Sequence, residues 1–385
     1  MNSALKNYAA YVNNKIDVCE ISLNQYISTD NILQNKQGIE CAASLPIQGG
    51  KITAFKKGDI LLANIRPYLK KIWYAQFDGG CSADVLAIRA NAKIDSHFLF
   101  YALFRDDFFI HAMKGSKGTK MPRGDKTQIM EFKIPVFAPQ TQQSIATVLS
   151  ALDKKIALNK QINARLEEMA KTLYDYWFVQ FDFPDANGKP YKSSGGEMVF
   201  DETLKREIPK GWEVKSLGEV ADLYQPATLS EKELENNGQF LVYGANGIIG
   251  KYNQFNHEEP VVAVACRGNS CGAINITQPK SWITGNAMVV NPKNKNICID
   301  FIKNTLLVNN LSKVISGSAQ PQITRTNFAP LKVILPSEAL LKLYSDIVNS
   351  MFNKRINQIE QNAKLTQLRD FLLPMLMNGQ VSIVK

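Results

Sequence analysis

Apolar residues recur at helical spacing along two long stretches of the chain. The first stretch covers residues 140–178, contains neither proline nor glycine, and follows Pro139. A proline is tolerated at the start of a helix. About 34 residues at 1.5 Å each predict a rod of roughly 50 Å. Its apolar stripe runs through Ile145, Val148, Leu149, Leu152, Ile156, Ile162, Leu166, Met169, Leu173 and Tyr176.

A helix of that length with one apolar stripe needs an apolar partner, and residues 344–377 supply a second stripe. The two stretches also resemble each other, since LDKKI at 152–156 aligns with FNKRI at 352–356. A repeat at about 200 residues predicts a duplicated domain. The alternative is two unrelated amphipathic helices, each packed in its own core. The second stripe runs through Val348, Phe352, Ile356, Ile359, Leu365, Leu368 and Leu372, and Pro374 limits its end.

Short apolar runs separated by turn residues precede each long helix and predict two β-rich globular parts. Each part also contains one stretch that favours a helix covering the strands, at residues 97–111 and 299–315. The strands predicted in the first part are 51–55, 60–63, 72–75 and 84–88. Those predicted in the second part are 239–243, 260–265, 273–276 and 287–290.

Composition narrows the class of protein. A chain of 385 residues is too long for a single hydrophobic core, so we expect two domains. Its content of 45% apolar and 21% charged residues is typical of globular domains. The chain lacks an apolar run long enough for a transmembrane helix, and its first residues lack the apolar core of a secretion signal. The six cysteines are scattered, and with three histidines they form no zinc pattern. We therefore expect reduced thiols, a cytoplasmic location, and no metal or other cofactor.

The formal net charge of +10 favours a polyanionic partner, although many basic proteins bind no nucleic acid. Two loops of the first part are strongly basic. Residues 66–71 read RPYLKK, and a lysine or arginine recurs at every third position of 114–126 among glycines and a proline. Each loop is interpreted either as a DNA contact or as a solvated surface. The corresponding loop 317–325 of the second part carries serine, glutamine and arginine, which can hydrogen-bond to base edges.

The catalytic motifs that the sequence could contain are either incomplete or absent. Residues 244–251 look like a phosphate-binding loop, but Ala245 stands where glycine is needed and Tyr252 where serine or threonine is needed. The Glu131-x-Lys133 spacing of metal-dependent nucleases arises readily by chance in a charged chain. The sequence contains neither an Asp/Asn-Pro-Pro-aromatic segment nor a glycine-rich strand–turn–helix for a nucleotide cofactor. We therefore expect a binding protein without catalytic residues.

Several segments along the chain carry a family resemblance: GDILLANIRP at 58–67, GCS at 80–82, LYDYWFVQF at 173–181, GW at 211–212, YGANG at 243–247, GSAQPQ at 317–322 and LRDFLLPML at 368–376. In their order, these segments resemble the specificity (S) subunit of bacterial type I restriction–modification enzymes. The resemblance covers essentially the whole chain, and the order and the repeat carry it more than any single motif. The first half lacks a counterpart of Gly211-Trp212, so its first strands are expected to differ or to be truncated.

The resemblance implies an α+β fold with two β-rich target recognition domains, each followed by a long helix, in an internal pseudo-two-fold repeat. Each domain would recognise one half of a split, asymmetric sequence in double-stranded DNA. The two helices would pair as an antiparallel coiled coil that sets the gap between the halves. Two methyltransferase (modification) subunits would dock on the helices, and restriction/translocase subunits would join them. The S subunit itself would carry no catalytic residue.

These expectations lead to boundaries and candidate residues. The boundaries are 1–139 for the first target recognition domain, 140–178 for the central spacer helix, 179–206 for a connector, 207–336 for the second target recognition domain, 337–378 for the C-terminal spacer helix and 379–385 for a tail. The candidate DNA contacts are Arg66, Lys70, Lys71, Lys117, Lys120, Arg123, Asn246, Arg267, Ser318, Gln320, Gln322 and Arg325. The candidate contacts with partner subunits are Leu152, Ile156, Leu166, Leu173, Phe352, Ile356, Leu368 and Leu372.

Two other classes of protein remain open at this point. One is a scaffold that joins two adaptor domains through a coiled coil and has no salt-dependent affinity for DNA. The other is a stand-alone nuclease or methyltransferase, which would be active as a single purified chain.

Overall fold

The chain folds into two compact units. Unit 1 comprises Met1–Leu158 together with Gln361–Lys385, and unit 2 comprises Asn159–Glu360. Each unit therefore takes one portion of each long helix. The computed structural model describes residues 2–46, 49–118, 120–235, 237–317 and 320–383.

Unit 1 combines small sheets with helices that cover them. Strands β2-β9-β6-β7 form one sheet in that order, β3-β5-β8-β4 form a second, and β1 pairs with β10. The strands are β1 (Asn2–Ala4), β2 (Ala9–Tyr11), β3 (Lys15–Asp17), β4 (Tyr26–Ile27), β5 (Lys51–Phe55), β6 (Ile60–Ala63), β7 (Ile72–Tyr74), β8 (Gly79–Cys81), β9 (Val85–Ala90) and β10 (Lys133–Pro135). The helices are α1 (Ser96–Leu103), α2 (Asp106–Lys114), α3 (Lys126–Met130) and the first part of α4 (Pro139–Tyr174).

Strand β6 is buried on both faces, which explains its uninterrupted apolar sequence. Ile60 and Leu62 belong to the core that contains α1 and α2. Leu61, between them, belongs to a separate core with Phe55 and Trp73. This alternation follows from the two-residue period of a strand. The strand thus contributes to both cores of unit 1, and the basic segment 66–71 follows its carboxyl end.

Unit 2 repeats this plan. Its sheet β14-β20-β17-β18 has the order of β2-β9-β6-β7 in unit 1, and its other sheets are β16-β15-β19, β13-β21 and β11-β12. The strands are β11 (Met198–Asp201), β12 (Arg206–Pro209), β13 (Glu213–Ser216), β14 (Ala221–Tyr224), β15 (Phe240–Gly244), β16 (Gly247–Tyr252), β17 (Val262–Ala265), β18 (Ile274–Ile276), β19 (Trp282–Ile283), β20 (Ala287–Pro292) and β21 (Lys332–Leu335). The helices are α5 (Leu217–Val220), α6 (Ile299–Val308), α7 (Arg325–Phe328) and α8 (Glu338–Met377), of which the last residues belong to unit 1.

The long helices pair antiparallel inside each unit. In unit 1, Ile145 and Leu149 of α4 share a core with Leu373 and Leu376 near the end of α8. In unit 2, the end of α4 instead contacts the start of α8, and the rings of Tyr174 and Tyr344 lie 6.3 Å apart. Helix α4 continues beyond Tyr174 as one π-helical turn, Asp175–Val179. The predicted fold class, two β-rich domains with paired long helices in a repeat, is confirmed.

A pair of equivalent hydrogen bonds marks the repeat in the helices. In unit 2, Nδ2 of Asn163 donates to the carbonyl oxygen of Arg355 over 3.2 Å. In unit 1, Nδ2 of Asn362 donates to the carbonyl oxygen of Ile156, also over 3.2 Å. An offset of 199 residues relates both the donors and the acceptors. Polar side chains at such helix–helix positions select one register over shifted ones.

Two local expectations are wrong. The segment 97–111 is not one helix, because α1 ends at Leu103 and α2 begins at Asp106. Asp106 and Asp107 occupy the first turn of α2, where carboxylates favour a new helix N-terminus. The segment 299–315 is not one helix either, because α6 ends at Val308 and a separate 3₁₀ turn covers Leu311–Val314. At the start of unit 1, β1 pairs antiparallel with β10 over three residue pairs, whereas β13 pairs with β21 over four.

Candidate nucleic-acid interface

A short hairpin in the second basic loop of unit 1 is the centre of the candidate site, and we call residues 117–118 and 120–123 the basic hairpin. Lys117 and Arg123 exchange two backbone hydrogen bonds of 2.9 Å. Gly118 has a φ of +96°, a left-handed conformation that glycine adopts without steric cost. Lys117 and Lys120 are exposed. The side chains of Lys117, Lys120 and Arg123 therefore lie on a turn that is closed by two backbone hydrogen bonds.

The basic hairpin docks on the segment that follows β6. The backbone N–H of Arg66 donates to the carbonyl oxygen of Pro122 over 2.7 Å, and that of Gly124 donates to Asn64 over 3.0 Å. Ile65 forms an isolated antiparallel bridge with Arg123. The two basic loops, about 50 residues apart in sequence, are thus brought together just beyond the carboxyl end of β6.

Arg66 stands out within this arrangement. Its φ of +52° lies in the left-handed region, where a residue with a Cβ pays roughly 1–2 kcal/mol. Its Nε atom is buried without a hydrogen-bond partner among the described residues. Local strain and an unsatisfied buried donor are features that cluster at functional sites.

The remaining candidate DNA contacts of unit 1, Lys70 and Lys71, already have partners within the chain. Nζ of Lys70 lies 3.0 Å from one carboxylate oxygen of Asp106, and Nζ of Lys36 lies 2.8 Å from the other. Burial opposes the charge of Asp106, but the hydrogen bonds from both lysines outweigh it and lower the pKa of this carboxyl. Lys71 donates to the carbonyl oxygen of Thr29. Lys70 and Lys71 therefore serve the loop's own structure, which the sequence pattern alone did not reveal.

Unit 2 contains an equivalent hairpin with different side chains, and we call its residues 316–317 and 320–322 the polar hairpin. Ser316 and Gln322 exchange backbone hydrogen bonds of 2.9 and 2.8 Å. The N–H of Gly268 donates to the carbonyl oxygen of Pro321 over 3.1 Å, and Arg267 bridges Gln322. Gly317 has a φ of +85°, as Gly118 does in the basic hairpin. The two hairpins are therefore equivalent elements of the repeat.

The bridges and hydrogen bonds at the two hairpins show which residues of the two loops are equivalent. Arg267 makes the bridge that Ile65 makes in unit 1, and Gly268 makes the hydrogen bond that Arg66 makes. The strands repeat at an offset of 202 residues, as in Ile65 and Arg267, but the hairpins repeat at 199, as in Arg123 and Gln322. In the sequence, this change of offset between the strand and the hairpin is the signal that identifies the equivalent residues. Arg66 therefore corresponds to a glycine and not to Arg267.

Comparison with known proteins places this arrangement in a family. The model of the type I restriction modification DNA specificity domain matches residues 6–168 and again residues 209–367. The chain belongs to this family. Each of the two matched ranges contains one of the two hairpins.

Individual relatives agree with the family. The chain is 25% identical to the type I restriction enzyme HindI specificity subunit of Haemophilus influenzae, over 92% of this chain and 94% of that protein. It is 28% identical to the MjaIX specificity subunit of Methanocaldococcus jannaschii, over 86% and 79% of the two chains. The crystal structure of the type I restriction–modification system S subunit from M. genitalium shares the fold, with 18% identity, a TM-score of 0.58, and coverage of 98% of this chain and 96% of that one.

The other candidate DNA contacts of this specificity-family chain lie on several elements of unit 2. Asn246 is exposed in the turn between β15 and β16. Gln320 and Gln322 are exposed on the polar hairpin, and Ser318 lies outside the described residues. Arg325 begins α7, which Thr324 caps, and it lines a groove of about 490 Å³ with Lys293. The structure thus brings together Arg267, Gln320 and Gln322 around one hairpin, whereas Asn246 belongs to the other sheet.

The eight candidate partner contacts lie on the paired helices. Seven of them are half-buried, and Leu368 is 45% exposed. Met169, at the position equivalent to Leu368 under the 199-residue offset, is 53% exposed. Each unit therefore presents an apolar side chain to solvent at the same position of its helix pair.

Two further observations concern metal binding and membrane spanning by the described residues. They contain no cluster of three or more His, Cys, Asp or Glu side chains placed to hold a metal ion. Among the helices in the described ranges, none combines the length and the apolar character needed to cross a bilayer.

Proposed function

We propose that this chain is the DNA-specificity subunit of a type I restriction–modification complex. Each unit recognises one half of a bipartite, asymmetric sequence in double-stranded DNA, and α4 and α8 set the gap between the halves. The observation that carries the proposal is the occurrence of the same hairpin, docked on the same strand end, in both units. A duplicated element with different side chains suits the recognition of two different half-sites.

Recognition divides into positioning and discrimination. Lysine and arginine contacts to phosphates hold a protein in register, whereas hydrogen bonds to base edges carry the sequence information. We assign positioning to Lys117, Lys120 and Arg123. We assign discrimination to Arg66 and to the polar side chains of unit 2, namely Asn246, Arg267, Gln320, Gln322 and Arg325.

The partners are two methyltransferase subunits that dock on the helix pairs, with restriction/translocase subunits completing the complex in the cytoplasm. The exposed and equivalent Met169 and Leu368 support two like partners, one for each unit. The chain itself performs no catalysis and needs no cofactor of its own. The relatives' names as specificity subunits of type I restriction enzymes support this division of labour.

Methylation mapping tests the proposal directly. The chain is expressed together with the modification subunit encoded beside it, and modified adenines in the host DNA are located by single-molecule sequencing. The expected result is one bipartite motif with a fixed gap. Co-purification of the subunits without any motif contradicts DNA recognition by this chain. If the subunits do not co-purify and the chain shows no salt-dependent affinity for DNA, the scaffold is favoured. Nuclease or methyltransferase activity of the purified single chain favours a stand-alone enzyme.

Two alanine variants separate positioning from discrimination. Gln320→Ala is expected to relax the preference at one base pair of the motif by about 1–3 kcal/mol, because it removes a side chain that can contact a base edge. Lys120→Ala is expected to weaken binding to all sequences alike, because phosphates are the same everywhere. Both are measured as dissociation constants for cognate and single-mismatch duplexes. Equal loss on cognate and mismatched DNA for Gln320→Ala contradicts the assignment.

A further inference from the structure

The positive charge of the chain is distributed very unequally between the two units. Unit 1 contains 23 lysines and arginines against 14 aspartates and glutamates, a net charge of +9. Unit 2 contains 22 against 21, a net charge of +1. Nearly all of the net charge of +10 therefore belongs to one of two units with the same fold.

The same imbalance occurs at the equivalent hairpins. Lys117 and Arg123 of the basic hairpin correspond to Ser316 and Gln322 of the polar hairpin. The backbone hydrogen bonds at the two sites agree within 0.1 Å, at 2.9 and 2.9 Å against 2.9 and 2.8 Å. The backbone of the two hairpins is thus the same, while two cations of the basic hairpin are replaced in the polar hairpin by neutral side chains that can donate and accept hydrogen bonds.

The cations of the basic hairpin remain available to an external anion. Arg123 lies 3.0 Å from Asp84, but 61% of its side chain is still exposed. Lys117 and Lys120 are exposed on the same turn. An exposed ion pair of this kind contributes little by itself and is readily exchanged for a phosphate.

We propose that the two units divide DNA binding unequally: unit 1 is the phosphate anchor that supplies most of the electrostatic affinity, and unit 2 discriminates bases with little net electrostatic attraction. This rests on the proposed function and concerns how that function is shared. Each phosphate neutralised by a lysine or arginine adds about 0.9 to the slope of log affinity against log salt. The salt dependence of the whole chain therefore originates mainly in unit 1.

Exchanging the hairpin residues between the units tests the division. One variant, Lys117→Ser with Arg123→Gln, gives the basic hairpin the side chains of its counterpart, and Ser316→Lys with Gln322→Arg does the reverse. A matched control, Arg267→Gln with Arg325→Gln, removes two cations from unit 2. The probe is a labelled duplex of mixed sequence and about 30 base pairs, bound by the full chain in its co-purified complex between about 50 and 200 mM salt.

The first exchange is expected to lower the salt slope by about 1.8, which changes the affinity ratio to the unaltered complex about 12-fold across this salt range. The reverse exchange is expected to raise the slope by about 1.8, and the control to change it by less than about 0.5. Circular dichroism and the urea midpoint verify that each variant is folded. A control that lowers the slope as much as the first exchange overturns the unequal division but leaves DNA binding intact. An unaltered complex without salt-dependent binding overturns the proposed function itself.

Discussion

Replacing Arg66 with glycine is expected to weaken binding to cognate DNA about 5- to 150-fold, the loss of 1–3 kcal/mol that one specific base contact provides. The fold should tolerate the change, because Gly268 occupies the equivalent place in unit 2 and makes the same hydrogen bond to a proline carbonyl. Glycine removes the left-handed strain of about 1–2 kcal/mol but adds backbone entropy worth about 0.5–1 kcal/mol. The free energy of unfolding should therefore stay within about 1 kcal/mol of the original.

Lys70→Gly is the matched control for this substitution. Lys70 has a left-handed φ of +51°, nearly that of Arg66, and lies four residues further along the same loop. Its charge is already paired with Asp106 at 3.0 Å, so we expect little change in DNA affinity. Dissociation constants on cognate duplex and urea midpoints are measured for both variants. A large loss of stability in Arg66→Gly would show that Arg66 is structural, and unchanged affinity would remove it from the DNA contacts.

The sequence predicted the elements whose signal is periodic. The helical stripe beginning near Ile145 predicted α4, and the repeat between residues 152–156 and 352–356 predicted that α8 is its counterpart. The short apolar runs predicted most strands of both central sheets, because a strand buried on both faces, such as β6, has a continuous apolar sequence. The fold class followed from these patterns together with the family resemblance.

The details of the candidate site could not be predicted in the same way. The left-handed backbone of Arg66 has no sequence signature, since glycine is the usual residue there. The ion pairs of Asp106 with Lys70 and with Lys36 are tertiary contacts between residues 36 and 70 positions apart. The break between α1 and α2 was also missed, because the apolar period continues across it while Asp106 and Asp107 start a new helix. Local rules carry no information about which distant carboxylate neutralises a lysine.

Removing the carboxylate of Asp153 is expected to destabilise unit 1 by about 2–3 kcal/mol, somewhat less than for a fully buried ion pair. Asp153 of α4 lies 2.8 Å from Nη1 of Arg369 in α8 and accepts a 2.7 Å hydrogen bond from the hydroxyl of Tyr101 in α1. Only 11% of the Arg369 side chain and 29% of the Asp153 side chain are exposed. Burial opposes the charge of Arg369, but Asp153 and Asp370 outweigh it and raise the pKa of the guanidinium.

Asp153→Ala therefore leaves a buried cation and a buried hydroxyl without their shared acceptor, and it loosens both helices from the globular part of unit 1. Asp370→Ala is the matched control: its carboxylate also contacts Arg369 at 2.8 Å but is 53% exposed, so its loss should cost less than about 1 kcal/mol. Urea unfolding of both single variants measures the difference. In the double variant Asp153→Ala with Arg369→Met the buried charge is gone, and stability should largely return. If Asp153→Ala and Asp370→Ala prove equally mild, the cluster does not hold the helices to the domain.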